Sequence, residues 1–293
     1  MPGTGAMESI DEVAEQRPAQ AREQSALCIQ PSAFFLELSL DWIVLRASEN
    51  IHRLLDESHV TLIDEPLGRF VHSQALHDLR NLFSRLSGTT GIGRAYAVRL
   101  TNDPDLVDVA FQLSDGRVLL EATRSSGSYG EAFGTVGGLI SGLANSHGQA
   151  LLDGAARRMR ALTGYDRVTL VCGENRAESS RGAFAAPADM NADLPAIVAD
   201  TAAHAVHIFP RDEEDSSAID ALMRAPPGDA VEALGRAAVR ATMRVPFNVD
   251  GLRGEFRCDS RTMRDPSFEL HAAAELFAQL FAMRLEIDHL RNG

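Results

Sequence analysis

The stretch "ATMRVPFNVDGLRGEFRCDS", residues 241–260, decides the reading of this chain. Asp250-Gly251 is a dipeptide that turns a two-stranded hairpin, so the stretch predicts a pair of antiparallel strands. Directly after it, "PSFELHAAAELFAQLFAMRLEIDHLRNG" (266–293) carries Leu276, Phe277, Leu280, Phe281, Met283, Leu285, Ile287 and Leu290 at three- and four-residue intervals, the pattern of a long closing helix. Upstream, "ALLDGAARRMRALTGYDRVTLVC" (150–172) reads as an amphipathic helix that runs through a glycine stop into a strand. Between the two, "LPAIVADTAAHA" (194–205) and "DAVEALGRAAV" (229–239) predict helices, with "PRDEEDSSA" (210–218) as a solvated acidic loop. Helices packed against an antiparallel sheet give a mixed α/β (α+β) unit.

The first half repeats that scheme. "AFFLELSLDWIVLRAS" (33–48) predicts a hairpin, "SENIHRLLDE" (48–57) and "LGRFVHSQALHDLRNLFSRL" (67–86) predict helices, and "RAYAVRL" (94–100), "LVDVAFQL" (106–113) and "RVLLEAT" (117–123) predict strands, the last two joined by "SDG". Strand pair, helices and three strands describe a PAS-type domain, and the later unit describes a GAF-type domain. The expected organisation is a flexible arm over 1–25, a PAS domain over 26–124, a Gly/Ser-rich linker over 125–145 beginning "SSGSYGEAFGTVGG", and a GAF domain over 146–293 ending in the long helix.

Composition narrows the function. Net charge is −13 and the chain contains no lysine, which removes Schiff-base chemistry and the phosphate-loop lysine and argues against a nucleic-acid partner. Cys28, Cys172 and Cys258 are odd in number and widely spaced, so they predict reduced thiols rather than disulfides or a zinc site. There is no run of membrane-spanning length and no basic, apolar leader, which places the protein in the cytoplasm and off the membrane. The histidine pairs His204/His207 and His72/His77 lack the spacing and carboxylate of a metal site, and no Cys-His or serine nucleophile arrangement stands out, so the chain reads as neither metal-binding nor an enzyme.

"CIQPSAFFLEL" (28–38), "DVAFQLSDGRVLLEA" (108–122), "ALTGYDRVTLV" (161–171) and "AAVRATMRVPFNVDGLRGEFRCDS" (237–260) resemble, in order and spacing, the PAS-GAF core of bacterial phytochromes over residues 28–290. The resemblance implies a linear tetrapyrrole in the GAF pocket, joined to a cysteine in the N-terminal arm. Here no cysteine precedes Cys28, which stands beside Ile29, past the attachment position, and reads as a packed thiol. "MNADLP" (190–195) keeps Asp193 and Pro195 of the family's pyrrole-binding motif, and Arg224 matches a propionate-clamping arginine. Ala230 stands where the family has a histidine, Asp259 and Ser260 where it has paired histidines, and Val171, Ala202 and Ala233 where it has tyrosines.

On that alignment Asp259 is expected to repel a carboxylate, Asp193 to serve as a turn or cap residue and Arg224 to be a solvated or paired surface arginine. The segment from His207 to Ala225 is shorter than the family loop, so the family's knot is expected to be absent or tighter. Phe268, Leu276, Leu280 and Met283 are expected on the sheet, leaving Phe277, Phe281, Leu285 and Ile287 as the interface of a homodimer. The reading is a chromophore-free regulatory module acting through dimer and effector-protein contacts. Its alternative is a receptor that holds a bilin, haem or another small ligand non-covalently.

Overall fold

From Ala33 to Leu38 every residue is buried, which a strand achieves only inside a sheet covered on both faces. The computed structural model describes residues 27–86, 91–125, 127, 130–211, 217–249 and 251–292; the expected arm, Asp250 and most of the acidic loop lie outside them. The strands of the first half are β1 (Cys28–Ile29), β2 (Ala33–Leu38), β3 (Val44–Ser48), β4 (Gly93–Val98), β5 (Val107–Ser114) and β6 (Arg117–Arg124). Its helices are α1 (His52–Leu55), α2 (His59–Leu62) and α3 (Ser73–Leu86). Asp115 and Gly116 both take positive φ, 47° and 74°, the two-residue turn that matches strand twist and joins β5 to β6.

In the second half come α4 (Glu131–Ser141), α5 (Gly148–Thr163), β7 (Arg167–Cys172), β8 (Asn175–Ser180), β9 (Ile197–Val198), β10 (Val206–Phe209), α6 (Gly228–Arg236), β11 (Ala241–Val249), β12 (Leu252–Ser260) and α7 (Phe268–Asn292). One sheet has the order β8-β7-β12-β11-β9, the other β1-β10-β3-β2-β6-β5-β4. The predicted hairpin is β11 and β12, antiparallel from Ala241↔Ser260 to Val249↔Leu252. A side chain at Gly254 would meet the Phe247 ring at 2.3 Å, so this position needs glycine for close packing. Gly164, at φ 68°, ends α5 in the left-handed conformation with its N–H donated to Arg160 O.

Three expectations are corrected. The Gly-rich linker contains the helix α4, because Val136 packs into the core and Glu269 Oε1 accepts from the N–H of Gly130 at the helix start, 2.8 Å. Residues 194–205 form no helix. Ile197 and Val198 instead pair with Met243 and Thr242 as a sheet-edge strand, and the Asp200 side chain turns the chain by accepting from Ala202 N. The faces of α7 are also exchanged. Phe277 and Phe281 are fully buried and Leu285 is 4% exposed, with Phe281 at 5.3 Å from Phe256 and 5.6 Å from Phe247 between ring centroids. Only Ile287 of the four expected interface residues is exposed, and it lies with Leu276, Met283 and Leu290. Phe268 is buried as expected, and Leu280 packs half-buried against the same core, so the exchange concerns Leu276 and Met283 on one side and Phe277, Phe281 and Leu285 on the other. Aromatic residues hold the larger apolar area, so they take the sheet and the smaller aliphatic ones face outward.

The two sheets are tied by a threaded segment. β1 pairs with β10 on one side, while on the other Gln30 N donates to Met223 O and Ala225 N to Cys28 O. β10 in turn joins β3, so a strand of the second half extends the sheet of the first. Residues 27–30 are thus embraced by both limbs of the 206–225 segment. The expectation of a tighter or absent knot turns on residues 212–216, which lie outside the described residues.

Candidate functional site

Alternation along β12 sends Phe256 and Cys258 toward α7 and leaves Arg257 and Asp259 on the opposite face of the sheet. Burying a charge is costly unless it is paired and hydrogen-bonded. Asp259, with no exposed surface, accepts from Arg167 Nε at 3.0 Å and Nη2 at 2.6 Å, from Thr242 Oγ1 at 2.8 Å and from Arg257 Nε at 3.3 Å. The expected repulsion is therefore corrected: two guanidiniums surround this carboxylate, so the cluster carries excess positive charge. Burial pulls the Arg257 guanidinium below its ordinary range, and Asp259 and Glu255 oppose that pull.

The remaining donors of both arginines hold down the loop that follows β8. Arg167 Nη1 donates to Ala186 O at 2.7 Å, Arg257 Nη1 donates to Asp189 O, and the Arg167 guanidinium lies 4.1 Å from the Phe184 ring centroid. Phe184, Ala186 and Ala192 then pack on a small core of Leu194, Val198, Ala230, Leu234, Ala237 and Val239 beneath α6. Ala230, at a family histidine position, is a buried member of it.

Arg224 and Asp193 form a second cluster, with Nη2 donating to Oδ1 at 2.9 Å. Arg224 is paired, as one of its expected alternatives had it, but is buried rather than at the surface, and Asp193 is its ion-pair partner rather than a helix cap. Arg244 links the clusters by donating to Leu194 O at 2.8 Å and pairing with Glu255 at 2.6 Å. Pro195 lies between Leu194 and β9. Ser260 is separate: its hydroxyl meets Asp166 Oδ2 at 3.4 Å and accepts from Arg264 Nε at 3.3 Å. Of the five predicted site residues the structure joins Asp193 with Arg224 and puts Asp259 in a different network. Arg167, Arg257, Thr242 and Phe184 were missed, although period-two alternation through "FRCDS" places Arg257 beside Asp259.

Cys28 lies across from His207, its sulfur 3.2 Å from Nδ1, a pairing that sequence separation conceals. Burial raises the thiol pKa and Arg211 lowers it. Glu121 on β6 is fully buried where the first sheet meets the threaded loop, accepting from the N–H groups of Leu222 at 2.7 Å and Met223 at 2.8 Å. Desolvation pushes its pKa up to about 7. At the same junction Arg94 donates to His271 Nδ1 at 2.9 Å and pairs with Glu275 at 2.8 Å, while burial lowers the His271 pKa. Among the described residues no helix is long and apolar enough to cross a membrane, and no group of three potential metal ligands converges.

No protein-family model and no curated protein matches the chain. Solved structures do. The wild-type chromophore-binding domain of Stigmatella aurantiaca phytochrome P1 aligns with TM-score 0.70 and 21% identity, over 88% of this chain and 95% of that one. This is the fold of a bacteriophytochrome chromophore-binding domain. The corresponding domain of an unusual R. palustris bacteriophytochrome gives 0.71 at 20% identity, over 91% and 96%. The S. aurantiaca photosensory core module gives 0.73 at 20% identity, and there the chain spans 58% of the longer protein. The PAS-GAF photosensory-core fold thus fits about nine-tenths of the chain.

Proposed function

We propose that this chain is a phytochrome-like signalling module that works without a bilin and reports its state through a homodimer to an effector protein. The observation that carries the reading is the Arg167–Asp259–Arg257 network, whose donors are directed to the protein's own carboxylate and to the carbonyls of Ala186 and Asp189. A linear tetrapyrrole needs such donors for its propionates, and here they are engaged. The outward residues of α7 support the dimer: Leu276, Met283, Ile287 and Leu290, with the half-buried Leu280 between them, follow a four-three spacing, the seam of a two-stranded coiled coil. Glu286 and Arg291 flank that seam with opposite charge, which favours a parallel pair.

A second reading has its own support. Two buried guanidiniums for one carboxylate suit an anionic ligand, so a bilin or haem bound non-covalently would take the place of the loop carbonyls on Arg167 and Arg257. The experiment is co-expression with haem oxygenase, followed by an absorbance spectrum and zinc-fluorescence staining of the denatured chain. We expect no red-region or Soret band; a stoichiometric band without covalent fluorescence replaces the bilin-free reading with the receptor. Sedimentation equilibrium tests the dimer, with M283E/I287E expected to give monomers.

A further inference from the structure

The N-terminal half holds a cleft of about 370 Å³ between Pro31, Ser32, Phe34, Arg53, Arg124, Ser125, Asp265 and Pro266. It is built by the start of β2, by α1, by the end of β6 and by the turn that leads into α7, so it joins the first sheet to the root of the helix with the outward seam. Its chemistry is divided. Phe34, Pro31 and Pro266 form apolar walls, while the two guanidiniums and the Ser32 and Ser125 hydroxyls supply hydrogen-bond donors. Arg124 pairs with Asp105, whereas Arg53 makes no ion pair among the described residues. A cation facing a concave surface without a partner is a site for an anionic group. Asp265, also on the rim, offers an acceptor to a ligand's N–H or O–H.

Phe34 does more than line the floor. It also borders two voids of about 20 and 10 Å³ behind the cleft, the inner one walled by Leu36, Ile51, Leu54, Leu100 and Leu120. Each is at most the size of one water, so the ligand's bulk stays in the outer cleft against the ring. We infer that this cleft binds a small aromatic carboxylate bearing an amino or hydroxyl donor, with the carboxylate on Arg53, the ring on Phe34 and the donor toward Asp265. Occupancy would bridge the first sheet and the base of α7. The inference is independent of the reading of the Asp259 face, because none of the cleft's residues belongs to that network.

The probe is 2-aminobenzoate, whose own fluorescence reports transfer from water to an apolar wall, titrated into the full chain. We expect saturable binding of one equivalent, weakened about tenfold or more in R53Q because a charge-assisted hydrogen bond is removed. D265N should weaken 2-aminobenzoate and leave benzoate unchanged, and aniline, which lacks the carboxylate, should not bind. Arg53 and Asp265 are exposed, so both variants should keep the wild-type circular-dichroism spectrum. No saturable signal with folded protein overturns the inference, as does an R53Q titration that matches wild type.

Discussion

Replacing Asp259 with asparagine removes one negative charge from a site with no exposed surface and leaves two guanidiniums facing a neutral amide. Four donors converge on the carboxylate, and the amide can accept from only some of them while turning its own N–H₂ toward cations. Breaking a buried ion pair by removing one partner costs about 3–5 kcal/mol, because the remaining charge stays desolvated. A domain's net stability is about 5–15 kcal/mol, so this is a large share of it. The expected outcome for D259N is a lower urea midpoint by circular dichroism, together with faster amide exchange over residues 183–190, whose carbonyls depend on Arg167 and Arg257. Loss of exchange protection elsewhere alone would signal general damage. A midpoint shift worth under about 1 kcal/mol with protection of 183–190 intact would refute the reasoning, since that is the ordinary effect of a surface change.

Phe281→Ala should destabilise the fold by about 3–5 kcal/mol through the cavity left between Phe247 and Phe256, whereas Met283→Glu on the outward face should leave thermal stability nearly unchanged and alter only the oligomeric state in sedimentation. Glu121 has a folded pKa of about 7 against an ordinary 4.5, so its stabilising contribution is full below pH 4.5 and is lost as pH rises through 7. That difference amounts to about 3 kcal/mol, and urea midpoints measured across this range should fall in wild type relative to E121Q; parallel profiles would contradict the assignment. Gly254→Ala drives a methyl into the Phe247 ring and should cost about 1–3 kcal/mol in the same denaturation assay, with near-wild-type stability showing that the ring can move aside.

The longer strands β2–β7, β11 and β12 and the closing helix are legible because they are local, with a turn dipeptide at 115–116, a helix stop at Gly164 and three- and four-residue spacing in α7; β1, β8 and β10 carry no such signal. What sequence reasoning misread depends on distant partners. Residues 197–198 become a strand only because β11 offers them an edge, and α4 is helical despite Gly134, Gly137 and Gly138 because α7 supports it. The α7 faces were exchanged because apolar residues lie on more than one side, and spacing alone cannot say which side meets Phe247 and Phe256. At the candidate site, the contacts of single residues were not legible. Asp259 looked like an unfavourable charge because its guanidinium partner Arg167 lies 92 residues earlier in the chain.

The same alternation that hides that partnership also connects the site to the helix. Arg257 and Asp259 face the loop, while Phe256 and Cys258, the intervening residues of one strand, pack against the α7 side of the sheet. A strand has no slack between adjacent residues, and packed interiors are stiff. Phe277 and Phe281 stand 6.0 and 5.3 Å from Phe256 between ring centroids, so β12 touches the loop through Arg257 on one face and α7 through Phe256 on the other. Those two rings are carried on the same turns of α7 as the exposed Leu276 and Met283, so one strand and one helix connect the loop to the outward face.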